Sequence, residues 1–342
     1  MFDSHNIDLH LPQSWNSCTT AELEAISATI IKHSLLSTKW TPISFNDIKT
    51  ELFFLLSRVK PISLINPRVA VEEQYFECEQ IYPSKWAKIK EDIKVWRGFE
   101  DYRRFNIYVW QISYWMDKYM KWFDIEKGAM TLTKFPYPIL KVGFRGKEFH
   151  GPDALLQNFN WQRFRFAQLY MDLYVRQENL LVKMKKHPNN FGSEQILKQC
   201  KHVDLARASF LATIFCAKTK YIDTDTEKLK PGYVYLSNQH SVNARYFRDF
   251  DVVKWQVITF WWSSMTAYLS QRFKHVYKTQ NLKKDNFKKS NPLDLYIEST
   301  AALQKYLHLD EERINKQNFY LILQQIDNMA YTNEQNEKIK SK

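Results

Sequence analysis

Asn160 to Lys186 reads NWQRFRFAQLYMDLYVRQENLLVKMKK, and this stretch sets the expectation for the whole chain. The short amide of Asn160 suits the cap of a helix, where its oxygen accepts a free backbone N–H. Trp161, Phe164, Gln168, Met171 and Val175 then fall on one side of a 3.6-residue repeat. The predicted helix runs to Lys186 and stops before Pro188, whose ring clashes with a continuing helix. Elsewhere the composition agrees, with 7 Gly among 342 residues against 23 Phe, 19 Tyr and 11 Trp. Average usage puts Gly near ~7%. Because Gly supplies positive-φ turns and close backbone approaches, its scarcity favours a packed or partner-binding helical scaffold over an enzyme.

The length allows one large domain or two ordinary ones. With 44% hydrophobic and 25% charged residues, the balance is that of a globular chain. A net charge of +12 suits an acidic partner, although the basic residues are spread along the chain and also serve to solvate helix faces. Cys18, Cys78, Cys200 and Cys216 form no C-x-x-C pair, which points to a reducing compartment rather than a disulfide framework. The start Met1-Phe2-Asp3-Ser4-His5 lacks the basic and apolar regions of a secretion signal. No stretch approaches a membrane span, and the run Val257 to Trp262 reads as core.

Along the chain, Thr19 with Glu22 forms a capping box before a helix over 20–36, and Ser44 with Asp47 opens a second helix ended by Pro61. Val69 to Ile81 reads as a short strand or hairpin. Trp86, Ile89, Ile93 and Trp96 have helical spacing, and a longer helix is expected over 101–124 with Phe105, Val109, Ile112, Met116, Tyr119 and Phe123 on one face. Gly128, Gly143, Gly146 and Gly151 cluster in the one region of turn chemistry, where Ile139 to Phe149 suggests a small β-hairpin turning at Arg145-Gly146. A helix beginning at Ser193 carries Val203, Ala206, Phe210, Ile214 and Ala217 inward, and residues 220–238 read as loop. The most aromatic helix starts near Asp251 and runs through Trp255, Trp261, Trp262 and Tyr268 to Phe273. Asn291-Pro292 opens another helix, Asp310 caps the last one, and residues after Tyr331 are polar enough to fray.

The expected fold is mainly α, with two helical halves joined by a small β-hairpin region. The division is 1–127, a Gly/Pro-rich junction at 128–158, 159–330, and a flexible tail at 331–342.

Few residues suggest chemistry. Cys200, His202 and Cys216 have no zinc spacing, and no metalloprotease, EF-hand, P-loop, dinucleotide or nucleophile-elbow motif occurs. His150 and His240, in expected loops, are the residues best able to act as general bases, but each reads more simply as an ordinary hydrogen-bonded histidine. Asp223 with Asp225, and Glu311 with Glu312, read as solvated charges. No catalytic, cofactor or metal residue is therefore assigned.

Two binding surfaces are. Trp110, Trp115 and Trp122 on one helix and Trp255, Trp261 and Trp262 on another are the expected protein-binding residues, since Trp, Tyr and Arg dominate interfaces. The alternative is nucleic-acid binding by the basic segment 272–289, with Arg272, Lys274, Lys278, Lys283, Lys284, Lys288 and Lys289 among Phe273, Tyr277 and Phe287.

Several segments form an ordered series: Leu11-Pro12-Gln13-Ser14-Trp15-Asn16 before a Thr-led helix, and Asp47-Ile48-Lys49-Thr50 heading the second helix. Phe135-Pro136, Gly151-Pro152-Asp153-Ala154-Leu155, Asn160-Trp161-Gln162-Arg163-Phe164 and the aromatic helix from Trp261 to Phe273 follow. In this order they resemble a family of uncharacterised phage and prophage proteins of Bacteroidota, although the 96–124 stretch is more aromatic than the family's pattern. The resemblance covers most of the chain and implies a product of a tail or virion gene cluster. Its implied role is assembly, as of a tail assembly chaperone coating a long helical tape-measure protein, in the host cytoplasm or the virion. It implies no catalytic residues. Expected partners are other phage structural or tail proteins, nucleic acid in the alternative reading, or further copies of the chain. No membrane span is expected.

Overall fold

The computed structural model describes residues 11–36, 44–82, 84–97, 104–123, 131–143, 146–222, 229–277 and 292–340. Arg145, Asp223, Asp225 and the connector residues Lys278, Lys283, Lys284, Phe287, Lys288 and Lys289 lie outside them. The fold is mainly α with small antiparallel sheets. It divides into two compact units, Met1–Leu132 with Val253–Ser264, and Thr133–Val252 with Met265–Lys342.

In the first unit, α1 (Thr20–Leu36) begins at the expected capping box, where the Thr19 amide donates to the Glu22 carboxylate at 2.7 Å. Helix α2 (Phe45–Leu56) begins at Ser44, whose hydroxyl accepts from the Asp47 amide at 3.2 Å. It ends at Leu56, before Pro61, with Arg58 in the left-handed region at φ 57°. Pro61 instead sits in β1 (Val59–Ile65), at an edge of a sheet ordered β1-β2-β3 and beside a register shift. Proline is tolerated there because an edge strand has amides without a ladder partner.

Strand β2 (Tyr75–Gln80) lies inside the expected 69–81 region and pairs with β1 and with β3 (Arg104–Tyr108). Strand β3 corrects the expectation of one helix over 101–124. Arg104, Asn106 and Ile107 alternate exposed and buried as a strand does, and Ile107 faces Phe76 in the ladder. Helix α3 (Lys85–Trp96) lies between β2 and β3 in the chain, and α4 (Val109–Tyr119) follows β3 directly. The core of this unit gathers Trp15, Leu52, Phe53, Ile107, Ile112, Met120 and Phe123, all at or below 2% exposed. Trp15 meets Trp122 edge-on at 5.1 Å, and Phe53 stacks on Trp115 at 6.0 Å.

The second unit is organised on α5 (Trp161–Lys186), which has the expected limits. Its cap Asn160 accepts the Arg163 amide at 2.8 Å. It packs along α6 (Ser193–Ile214). That helix stops at Ile214, and Cys216–Ala217 form β6 beside the hairpin of β4 (Ile139–Val142) and β5 (Lys147–His150). Cys216 therefore lies in a strand and not, as the apolar run suggested, in a helix. The guanidinium of buried Arg163 explains the stop: it donates to the carbonyls of Thr213 at 2.9 Å and Ile214 at 2.8 Å. Those carbonyls belong to the last turn, which has no helical partner for them.

Three further expectations are corrected here. The loop over 220–238 contains β7 (Thr219–Ile222) paired with β8 (Leu229–Gly232). Asp310 caps only a six-residue helix, Glu311–Lys316, and the last helix starts afresh at Phe319, with Asn318 accepting the Tyr320 amide at 2.9 Å. That helix continues past Tyr331 to Lys340. Polar composition alone did not end it, because exposed Asn, Gln, Glu and Lys still complete backbone hydrogen bonds. The aromatic helix Val252–Arg272 contributes residues to both units.

Candidate interaction surface

The surface is built from α4 and α3. In α4 the residues Ile112 and Met116, four apart, are buried and anchor the inner face. On the opposite side of the helix, Trp110 is 44% and Tyr114 56% exposed. Lys118, one further turn along, lies over the Tyr114 ring at 5.7 Å and the Tyr119 ring at 5.1 Å. Its ammonium is held above the usual lysine range, first by hydrogen bonding with Tyr119. Of the three tryptophans expected here, Trp110 faces solvent, while Trp115 and Trp122 are half-buried against Phe53 and Trp15.

Helix α3 is a surface that sequence reasoning missed as a binding face. Ser84 caps it, its hydroxyl accepting the Ala87 amide at 3.1 Å. Trp86, Ile89, Ile93 and Trp96 form one stripe, and a stripe of that kind is by default a core face. Here it points outward: Trp86 is 79% and Trp96 86% exposed, while the smaller Ala87 is half-buried. Lys85 borders the stripe on one side, and Lys90 and Arg97 border it on the other. Beside its first turn an open cleft of about 700 Å³ is lined by Lys85, Lys88, Arg104 and Glu79, among others. The sequence offers no signal that sets this stripe apart, because a helix packed on a core also flanks its apolar face with Lys and Arg.

Trp255, Trp261 and Trp262 are 3%, 1% and 6% exposed. These three are interior, so the binding face expected on that helix is not at the surface. The physical reason is that the helix is apolar around most of its circumference, the pattern of a buried helix. In the basic segment, Arg272 and Lys274 are exposed, but Phe273 is buried. Arg272 lies over the Tyr320 ring at 5.4 Å and donates to the Tyr268 hydroxyl at 3.2 Å. Tyr277 is half-buried, and burial pushes its phenol up to about 12.

The histidines join separate local clusters. His150 Nε2 is 3.0 Å from Glu148 Oε1, and the Tyr233 hydroxyl donates to the same oxygen at 3.0 Å. The His150 and Tyr233 rings stack at 3.4 Å. The hydrogen bond from His150, then that from Tyr233, holds the Glu148 carboxyl below its usual range. His240 stacks on Tyr170 at 4.8 Å, and burial lowers its pKa. Cys216 pairs in register with His150 across the ladder, whereas Cys200 and exposed His202 lie on α6. Among the described residues, no group of three or more His, Cys, Asp or Glu side chains is placed to hold a metal ion. No helix among them is long and apolar enough to cross a membrane.

Comparison with known proteins found no matching family model, no similar curated protein and no similar solved structure.

Proposed function

We propose that the chain is a non-enzymatic, phage-derived assembly or structural protein that binds other virion proteins through aromatic helix faces. The observation that supports this reading is the outer face of α4, where Trp110 and Tyr114 stand in solvent on a helix anchored from behind by Ile112 and Met116. Aromatic side chains on an anchored helix lose little freedom on binding and supply most interface energy. Its partners in this reading are phage structural or tail proteins, a tape-measure protein among them, and further copies of the chain. It acts in the bacterial cytoplasm or in the virion.

The test is co-purification with proteins encoded beside it. Replacing Trp110 and Tyr114 together by Ala weakens that association by roughly tenfold or more. A chain that stays monodisperse and ignores every such protein sinks the reading.

A second reading, nucleic-acid binding through 272–289, is favoured by the exposure of Arg272 and Lys274. It loses one of its stacking rings, because Phe273 is buried. It requires affinity for random DNA that falls steeply with rising salt; no binding at low salt excludes it.

A further inference from the structure

We infer that α3 is an interfacial helix that docks the protein on an anionic lipid bilayer. The inference does not rest on the assembly reading, which uses α4. Its basis is the stripe of Trp86, Ile89, Ile93 and Trp96, the largest apolar side chains of α3 among those described, turned to solvent while Ala87 is drawn inward. The stripe spans ten residue steps, roughly 15 Å of helix. That length lies along a membrane surface and is far too short to cross it. A Trp stands at each end, and indole favours the boundary where one edge of the ring is apolar and the other is wet. Lys85 on one border and Lys90 and Arg97 on the other are exposed, so their apolar stems flank the stripe while their charges reach the headgroup layer. Lys85 and Lys88 also line, with Arg104, the open cleft beside the first turn. Asp92 lies on the Lys85 edge, so the border carries three cations against one carboxylate, and apolar residues edged by this net positive charge match acyl chains beneath phosphates.

Charge also discriminates among occupants. A second copy meeting this face on itself would oppose Lys85, Lys90 and Arg97 with the same three cations, which disfavours a symmetric dimer. Nucleic acid would satisfy the cations but leave four large apolar side chains uncovered.

The experiment is sedimentation of the full chain with vesicles of phosphatidylcholine alone and of equimolar phosphatidylcholine and phosphatidylglycerol. The chain is expected to bind the anionic vesicles at least about tenfold more tightly, and to lose that preference as salt rises. Trp86→Ser with Trp96→Ser is expected to lower binding by about tenfold or more. Both side chains are exposed, and an unchanged circular-dichroism melt shows that the variant is folded. As a second measurement, acyl-brominated lipid quenches tryptophan emission in the parent and less in the double variant. Failure to bind anionic vesicles at low salt overturns the proposal, as does equal binding to both compositions or an unaffected double variant. If the parent is instead a dimer in solution that Trp96→Ser converts to a monomer, without vesicle binding, the face is a contact between copies and the lipid assignment is wrong.

Discussion

Arg163 has the strongest single claim on stability. Its guanidinium is buried, donates to two carbonyls at the end of α6 and lies 3.9 Å from the Phe159 ring centroid. Burial lowers its pKa, yet the helix end supplies the negative pole that keeps a cation there tolerable. Arg163→Ala leaves two interior carbonyls unpaired and opens a void. A loss of about 3–5 kcal/mol is expected, read from the urea midpoint. Arg163→Lys recovers only part of this, because an ammonium cannot reproduce the planar fork.

Gly151 makes a different demand. A Cβ there would overlap the Phe135 ring and lie 2.9 Å from the Tyr137 carbonyl oxygen. Gly151→Ala should cost about 1–3 kcal/mol by forcing Phe135 to move, a shift that differential scanning calorimetry resolves. Glu148 sets a pH dependence. Its carboxyl is held below the ordinary carboxylate range in the folded chain, so its contribution is present above that range and disappears as pH falls through the depressed folded value. Tyr233→Phe removes one donor, and the Glu148 titration followed by NMR should move back up toward the ordinary carboxylate range.

Among the elements, caps were the most legible feature. Thr19 with Glu22, Ser44 with Asp47, and Asn160 each occupy the position read from the chain, because capping uses donors and acceptors within three residues. Asn160→Ala should cost about 1 kcal/mol, measured by thermal unfolding, since the Arg163 amide loses its acceptor. Strands were read less well. Arg104 to Tyr108 reads as helix in the sequence because Phe105 also fits a 3.6-residue repeat with Val109 and Ile112, and five residues are too few to separate the two periods. What made it a strand was β2, whose Phe76 pairs with Ile107 across the ladder. The pairing of β7 with β8 is hidden in the sequence for a similar reason: the two strands have four residues each, and one contains Pro231. Helix α3 shows the converse. Its period was plain, but which way its stripe faced was not, and only exposure separates a core face from a docking face.

Across the whole molecule, tryptophan content was visible from composition, but its division between interior and surface was not. Trp15 and Trp261 are interior at 2% and 1% exposed, whereas Trp86 and Trp96 stand almost free. Trp15→Ala should therefore lower stability by about 3–5 kcal/mol in chemical denaturation. Trp110→Ala should cost less, about 1 kcal/mol in the same assay, because the indole is 44% exposed and keeps only a partly covered stack on Tyr108. The division into units also departs from chain order, since Val253–Ser264 belongs with the N-terminal unit. A helical class, the capped starts of α1, α2 and α5 and the limits of α5 follow from interactions within a few residues, and these are legible in the sequence itself. The β3 ladder, the burial of Arg163 at the end of α6 and the outward stripe of α3 depend on segments distant in the chain. No local repeat specifies which distant surface arrives to cover a given face, and packing decides that.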